Sequence, residues 1–240
     1  FWEAQAGQHA AAERSLAAGL KADEESIKLL PEGDVRRAMV DAEGTSRRAR
    51  IKLTQGDSAA AYDLASTSAR QLEQLSIASE DVTAQWRRTL QDLLGTETEA
   101  ALRLGRYSEA EATARRAIAM PRSSFAGDPL RGLSTRQVQL AYAIAMQGRG
   151  PEAQAELTPA LEFYGAEKKA GARTTSFRLE YAAALVASAL AQPPDAAGRA
   201  ARQRALAEAD AELAGASAEV RQLSDARVLA VRIAAARASS

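Results

Sequence analysis

Apolar residues recur along most of the chain at spacings of three, four and seven positions. Val35, Met39, Ala42, Ala49 and Leu53 follow this pattern, which places them on one face of an α-helix. No segment alternates apolar and polar residues in the two-residue period of a strand. The pattern predicts an all-α fold. The predicted helices span, in chain order, residues 1–6, 8–23, 34–55, 58–76, 80–104, 107–120, 134–147, 151–165, 172–191, 195–214 and 217–237.

A short motif occurs four times, and each copy has a glycine followed five residues later by an alanine. The copies begin at Gly7, Gly56, Gly105 and Gly148, which are 49, 49 and 43 residues apart. A period of this length is typical of stacked helical repeats. We expect each glycine to end a helix in a left-handed conformation, and each alanine to let the next helix cross closely.

Polar residues and prolines mark the expected helix ends. We interpret Ser108-Glu109-Ala110-Glu111 and Ser134-Thr135-Arg136-Gln137 as capping boxes. Pro159 lies inside an apolar helical pattern, and we expect a kink or break there. The expected N-cap residues elsewhere are Asp34, Asp57 and Ser79.

Composition narrows the possible chemistry. Alanine supplies 58 of the 240 residues and aromatic residues only 5%, which indicates helices that pack closely through small side chains. Cysteine is absent and His9 is the single histidine, so this chain by itself has no disulfides, cysteine-ligated metals or multi-histidine sites. The chain has 31 basic residues (lysine and arginine) and 31 acidic residues (aspartate and glutamate), so its formal net charge is zero. This balance argues against a nucleic-acid binder that relies on bulk charge.

No catalytic motif is recognisable in the sequence. The acidic pairs Glu97/Glu99 and Asp210/Glu212 are two residues apart, so on a helix their side chains diverge. Gly148-Arg149-Gly150 is followed by proline rather than by the residues of a phosphate-binding loop. We therefore expect no catalytic residues, no cofactor and no metal, and we predict that the chain is not an enzyme.

The third copy of the motif resembles a known family. Leu104-Gly105-Arg106-Tyr107-Ser108-Glu109-Ala110, followed by Ala114, Ala117-Ile118 and Pro121, is similar to the second half of a tetratricopeptide repeat (TPR). The copy at Gly148 looks like another such half, with Leu157 and Ala160-Leu161. The copies at Gly7 and Gly56 are weaker, with His9 and Ser58 where the family has an aromatic residue. We expect His9 to pack there.

The resemblance implies a fold and a domain organisation. It implies antiparallel helix pairs stacked as a right-handed superhelix, an α-α solenoid, forming a single domain over 1–240. The repeats are clearest over 1–165, and 166–240 would hold a degenerate repeat and a C-terminal capping helix. The period exceeds the family's usual length of about 34 residues, which resembles long-period TPR-like repeats of bacterial regulators. We expect the sequence to be a segment of a longer bacterial protein.

The resemblance also implies a function, since TPR-like proteins are generally non-catalytic scaffolds that hold a protein or peptide on their concave face. In the family's register that face also includes Phe177. An alternative is that Tyr142 and Tyr181 fill space between helices. The partner-binding residues implied by the register are Arg47, Arg50, Thr54, Glu99, Arg103, Gln139, Tyr142, Met146 and Tyr181.

The basic stretch Arg36–Lys52 suggests the charge of a partner. Arg36, Arg47 and Arg50 share a helix face within the basic stretch Arg36–Lys52, which could bind an acidic partner or be neutralised by Asp34, Asp41 and Glu43. Trp86 is either a ligand anchor or a core residue. We expect no nucleic-acid partner.

Two other function classes stay open. One is self-association through terminal helices, with the repeats as a structural spacer, where Phe1 and Trp2 would make a homo-oligomer contact. The other is a sensor arm that binds a small ligand. No apolar run reaches the roughly 18 residues of a membrane span and no signal peptide opens the sequence. We therefore expect no membrane insertion, and a soluble segment in the cytoplasm or the periplasm.

Overall fold

The protein is all-helical throughout the part described by the computed structural model, which comprises residues 7–75, 80–120 and 129–238. These residues form eleven helices and no strand, so the predicted all-α class is confirmed for them. The predicted helix 1–6, Ser79 and Pro121 lie outside the described residues. The helices are α1 (His9–Lys28), α2 (Val35–Thr54), α3 (Ser58–Glu73), α4 (Glu80–Arg103), α5 (Tyr107–Ala119), α6 (Pro129–Met146), α7 (Gly150–Lys169), α8 (Thr175–Leu190), α9 (Ala196–Ala214), α10 (Ala218–Arg221) and α11 (Ser224–Ala238).

The four predicted glycine motifs share one backbone geometry, which we call the glycine joint. Gly7, Gly56, Gly105 and Gly148 have φ between 72° and 85°, the left-handed region that suits glycine. The next residue has φ from −95° to −82° and ψ from 54° to 69°, and a helix begins directly after it. The prediction of left-handed glycines is confirmed at all four positions.

Where the helix before a joint is described, the joint satisfies the backbone at the end of that helix. At the second joint the amide of Gly56 donates to the carbonyl of Leu53, and the amide of Asp57 donates to the carbonyl of Lys52. This pair of bonds is a Schellman motif. The third and fourth joints repeat it, and the alanine five residues after each glycine is at most 1% exposed. These alanines are Ala12, Ala61, Ala110 and Ala153.

The predicted N-caps are confirmed at two helices, while both capping boxes are wrong. The Asp34 side chain accepts from the amide of Arg36, and that of Asp57 accepts from the amide of Ala60. Helix α5 begins one residue before Ser108, with no side-chain cap. Ser134 lies inside α6, where its hydroxyl donates to the Leu130 carbonyl, because the helix already begins at a proline that suits a first turn.

Pro159 does not break its helix, and the expected kink or break is wrong in this respect. Helix α7 runs continuously from Gly150 to Lys169. Leu157, Ala160 and Tyr164 on its inner side are at most 1% exposed, so core packing holds both halves of the helix in place. Pro159 itself is exposed. Proline has no amide hydrogen, so the carbonyl of Ala155 receives no helical hydrogen bond from position 159. Ala155 is also exposed.

The chain divides into two compact units. The first consists of Phe1–Arg106 with Arg115–Pro129, and the second of Tyr107–Ala114 with Leu130–Ser240. The predicted single domain over 1–240 stays a prediction.

In the first unit, successive helices pack on one another, and α4 contacts both α2 and α3. The core of this unit is a cluster of leucines and alanines around the fully buried Met39. The alanines on the inner helix faces occupy little volume, so the helices approach closely.

In the second unit, α8 packs on α7 and α9, and α11 contacts both α8 and α9. Its core is more aromatic, with Tyr164, Phe177 and Tyr181 in mutual ring contact. The predicted last helix is two helices, α10 and α11, separated near Leu223. Thus α11 packs on the pair α8–α9 as α4 packs on the pair α2–α3.

Candidate protein-binding surfaces

One face of α2 carries the basic residues that the sequence analysis singled out. Arg36, Glu43, Arg47, Arg50 and Thr54 follow one another at spacings of seven, four, three and four, so they form a single stripe along the helix. We call this stripe the α2 face. It contains three of the predicted partner-binding residues, Arg47, Arg50 and Thr54. Several of its charged side chains form hydrogen bonds or ion pairs with other residues of the chain.

Two arginines of the α2 face, Arg36 and Arg47, pair with aspartates. Arg36 donates through its side chain and its backbone amide to Asp34, and these hydrogen bonds lower the pKa of the Asp34 carboxyl to about 2. Arg47 pairs with Asp23 of α1 and keeps 46% of its side chain exposed. Of the three carboxylates considered for neutralising the stretch, Asp34 pairs with Arg36, and Asp23 adds a pair with Arg47 that the sequence pattern did not show.

Glu43 of the α2 face reaches across to α4. Its Oε1 accepts from the side-chain amide of Gln85 at 2.8 Å and from the hydroxyl of Thr89 at 3.4 Å. Arg88 lies 3.9 Å from the same oxygen. These contacts join α2 to α4 through polar side chains.

Glu99 and Arg103, both predicted partner-binding residues, contact each other on α4. The Arg103 Nε donates to the Glu99 Oε1 at 2.9 Å, and both side chains are less than one fifth exposed. The Arg103 Nη1 also donates to the Leu53 carbonyl at 2.9 Å. Arg103 therefore satisfies the carboxyl end of α2, where orphan carbonyls carry partial negative charge.

The three predicted residues of α6 have different surroundings. The carbonyl oxygen of the Gln139 side chain accepts from Arg136 of the same helix at 2.9 Å. Tyr142 is partly buried against the core of the second unit, and the Arg232 guanidinium of α11 lies 4.8 Å from its ring centroid. Met146 is 37% exposed. Arg232 is the residue of this surface that sequence reasoning missed, and no local sequence signal links it to Tyr142.

Tyr181 lies in the core rather than on an open surface. It is 8% exposed, and its ring stacks on Phe177 with 5.6 Å between the centroids. Its hydroxyl donates to Glu208 at 2.9 Å. Burial and this bond raise the pKa of Tyr181 to about 12. Tyr181 and Phe177 therefore offer a partner little surface.

A network of charges surrounds Tyr181 at the edge of the core. The Lys168 Nζ lies 2.8 Å from Glu208 and 2.9 Å from Glu212, and Arg178 pairs with Glu212 at 3.0 Å. Burial opposes the charge of Lys168, but the two carboxylates outweigh it and raise its pKa to about 12. The network joins α7, α8 and α9, and it is a structural feature that the sequence analysis did not predict.

A second, partly buried polar contact joins α6 to α8 in the same unit. The Arg131 Nε donates to the Glu180 Oε2 at 2.7 Å, and the Tyr164 hydroxyl donates to the same oxygen at 3.4 Å. Burial raises the pKa of the Glu180 carboxyl, although Arg131 opposes the change. Burial also raises the pKa of Tyr164.

Many arginines donate to carbonyl groups at or just beyond the carboxyl ends of helices. Besides Arg103, they are Arg37 to Ile27, Arg202 to Ala189, and Arg221 to Ala214. Such bonds satisfy orphan carbonyls and complement the helix dipole. The chain has 26 arginines and five lysines. These bonds give some of the arginines a structural role.

His9 is exposed at the start of α1, so the expectation that it packs is wrong. Within the described ranges, no group of three or more histidine, aspartate or glutamate residues is arranged to hold a metal ion. None of the helices described is long and apolar enough to cross a membrane. The side chains of Phe1 and Trp2 lie outside the described residues.

No protein-family model and no curated protein sequence matches the chain. Among solved structures, the chain is similar to the crystal structure of BtubC (BKLC) from P. vanneervenii. The sequence identity is 17%, the match covers 95% of this chain and 92% of that one, and the TM-score is 0.48. A similarity of this size carries no conclusion about what the chain does.

Proposed function

We propose that the chain is a non-catalytic scaffold of TPR-like helix pairs, stacked as a solenoid, that binds a protein or peptide partner. In this proposal the first helix of each pair supplies the binding surface, and the scaffold works within a longer bacterial signalling or regulatory protein. The first helices are α2, α4, α6, α8 and α11.

The observation that carries the proposal is the repetition of the glycine joint. Four joints share one backbone geometry, and each is followed by a helix that carries a buried alanine five residues after the glycine. A repeated joint of this kind supports a chain built from one supersecondary unit used several times.

The packing around α4 and α11 gives a second line of support. Each of these helices contacts both members of the helix pair before it. In a stack of helix pairs, this is the position of the first helix of the next pair. Within each unit, the arrangement supports a stack of helix pairs.

The residues of the first helices suit recognition of a peptide. Arg47, Arg50 and Thr54 lie on the α2 face, and Gln139, Tyr142 and Met146 lie on α6. Arginine, tyrosine and methionine give charge-assisted hydrogen bonds, rigid contact area and adaptable apolar contacts, which are typical of interface anchors. A preformed surface also loses little conformational entropy on binding.

The proposal is tested by selecting binders for the whole chain from a random-peptide display library, with an unrelated helical protein as the background. We expect specific peptides with micromolar affinity in calorimetry. The double variant Arg47→Gln/Arg50→Gln removes both charges without placing a carboxylate beside Asp23. We expect it to weaken those selected peptides that are acidic.

Arg14→Gln is the matched control, since Arg14 is an exposed arginine of α1, a helix that follows a glycine joint. It should leave the affinity unchanged. A library that yields no peptide above the background would refute the scaffold function. Oligomerisation that accounts for all binding, measured by light scattering, would instead favour self-association, and binding of a free small molecule would favour a sensor arm.

A further inference from the structure

Helix α11 is apolar on its inner side and also on its outer side. The inner side packs into the core of the second unit through Leu229 and Ile233, which are less than 5% exposed. The opposite side carries a stripe of residues that are all exposed in the described part of the chain. We call this stripe the α11 outer face, and it consists of Arg227, Ala230, Val231, Ala234 and Ala238.

The composition of the α11 outer face differs from that of an ordinary surface helix. A helix that is apolar all round is buried, whereas a surface helix carries polar residues on its outer side. Helix α3 has the second arrangement, since its exposed positions from Asp63 onward hold aspartate, threonine, arginine, glutamine and glutamate. On the α11 outer face, Val231 is 69% exposed and Arg227 is the one charged residue. This composition favours a partner helix that covers the face.

The position of Val231 suits a symmetric contact between two copies of α11. Val231 is the midpoint of the helix, seven residues from Ser224 and seven from Ala238. When two copies of one helix pack antiparallel about a two-fold axis, the midpoint residue contacts its own counterpart. The neighbours of Val231 on the face are alanines, whose small side chains let two helices approach closely. The largest apolar side chain of the face thus lies where a symmetric pair buries it most completely.

The charge of Arg227 favours the antiparallel orientation of such a pair. Arg227 precedes Val231 by four residues, or about 6 Å along the helix, so in an antiparallel pair it lies beside the last turn of the partner helix. The carboxyl end of a helix carries partial negative charge, which attracts a guanidinium. In a parallel pair the two Arg227 side chains would face each other and repel.

The other arginines of α11 are directed to their own unit. Arg237 pairs with Asp210 of α9, and the Arg232 guanidinium lies 4.8 Å from the centroid of the Tyr142 ring. The helix itself contacts both α8 and α9. These contacts hold α11 in place, so the outer face is presented by a packed helix.

We propose that α11 is a self-association site, at which the outer faces of two copies of the chain pack antiparallel about a two-fold axis. In this contact Val231 packs on the partner's Val231, and the alanines bring the two helices together. Arg227 reaches the carboxyl end of the partner helix. The inference goes beyond the proposed scaffold function, and it uses none of the residues that the proposal assigns to a peptide partner.

The size of the α11 outer face sets the strength expected of this contact. The helix has 15 residues, which corresponds to a length of about 22 Å. One helix face of this length buries less than the roughly 800 Å² per partner of a standard protein interface. We therefore expect a weak, reversible dimer with a dissociation constant on the order of 10–100 µM.

Sedimentation velocity of the whole chain, at concentrations well below and well above this value, measures the association. Val231→Arg should weaken the dimer roughly 10-fold or more, because it places two like charges on the symmetry axis. Leu29→Arg is the matched control, since Leu29 is an apolar residue of the first unit that is 86% exposed. It should leave the association unchanged. Circular dichroism and the thermal midpoint of each variant verify the fold.

The absence of cysteine from the chain allows a direct test of the orientation. Val231→Cys should form an intermolecular disulfide on mild oxidation, because the two side chains meet at the axis. Ala238→Cys should not, since in the antiparallel pair the two substituted positions are about 21 Å apart along the helices. A disulfide needs Cα atoms within about 7 Å of each other.

The outcomes decide the inference without reference to the scaffold function. A monomer at every concentration would overturn it, and so would a dimer that Val231→Arg leaves intact. Equal losses with Leu29→Arg would also overturn it, since the effect would then not belong to α11. Cross-linking of Ala238→Cys as readily as Val231→Cys would exclude the antiparallel contact. A peptide library without any specific binder would refute the scaffold function and leave this dimer standing.

Discussion

The indole Nε1 of Trp86 donates a hydrogen bond of 2.8 Å to the carbonyl oxygen of Leu72, and this bond joins α4 to the last turn of α3. The Trp86 ring packs against the core cluster of the first unit. Of the two interpretations of Trp86, a ligand anchor or a core residue, the structure supports the core residue. Trp86 is partly buried, and its N–H finds a partner within the chain.

Replacing Trp86 with phenylalanine tests the contribution of this bond. Trp86→Phe keeps an aromatic ring in the core but removes the N–H donor, so we expect the first unit to lose about 1 kcal/mol of unfolding free energy. Urea unfolding followed by circular dichroism measures the change. A stability equal to that of the wild type would mean that solvent satisfies the Leu72 carbonyl equally well.

The glycine joints predict a contrast between two glycines of the second unit. Gly148 has φ of 78°, whereas Gly165 is a helical glycine of α7 with nothing near the position of an added Cβ. Gly148→Ala should cost about 1–2 kcal/mol, because a Cβ is strained in the left-handed region. Gly165→Ala should instead stabilise by roughly 0.5–1 kcal/mol through helix propensity.

Thermal unfolding of the two variants provides the measurement, with each serving as the control of the other. Destabilisation by both alanines to the same extent would contradict the assignment of Gly148 as a left-handed joint.

Two prolines of α7 allow a similar comparison. Pro159 interrupts the hydrogen bonding of a continuous helix, while Pro151 lies in the first turn, where no amide donor is needed. We expect Pro159→Ala to stabilise the second unit by about 1–3 kcal/mol. Alanine supplies a backbone amide donor and has a much higher helix propensity than proline. Pro151→Ala should change stability by less than about 0.5 kcal/mol. Equal effects of the two substitutions in urea unfolding would refute this account.

The network around Tyr181 predicts a loss of stability at alkaline pH. The pKa of Lys168 rises from 10.5 to about 12 and that of Tyr181 from 10.0 to about 12. Both groups stay protonated up to a higher pH in the folded state than in the unfolded state. The free energy of unfolding should therefore fall as pH rises from 10 to 12. Since Lys168 is partly exposed, the expected fall is on the order of 1 kcal/mol.

Glu208→Gln should flatten this alkaline decline, because Glu208 contacts both groups. Denaturant unfolding at several pH values measures the slope. Glu219→Gln is the control: its hydrogen bond with Ser217 lowers the pKa of Glu219, so its contribution changes only in acid. An identical slope in Glu208→Gln and the wild type would contradict the link.

The sequence sufficed for features that depend on one residue and its immediate neighbours. A left-handed glycine and a side-chain N-cap at Asp34 or Asp57 are local requirements, so the residue types reveal them. The alanine five residues after each glycine was likewise predictable, since close helix crossing demands a small side chain at a fixed distance from the turn.

Features decided by tertiary packing could not be predicted. Arg103 donates to the carbonyl of Leu53, fifty positions earlier, and no local pattern distinguishes it from an arginine that faces a partner. Pro159 follows the local rule for a helix break, but the burial of Leu157 and Ala160 overrides that rule. Tyr181 matched a surface position of the family register and lies in the core.

The order in which the helices pack has a consequence for folding kinetics. Within each unit, most contacts join a helix to the next one or the next but one along the chain. Loops that close over such short distances cost little entropy, so folding should be fast for a chain of this length. In the proposed stack of helix pairs, any pair with its glycine joint could start the process, and neighbouring pairs would then add to it in either direction.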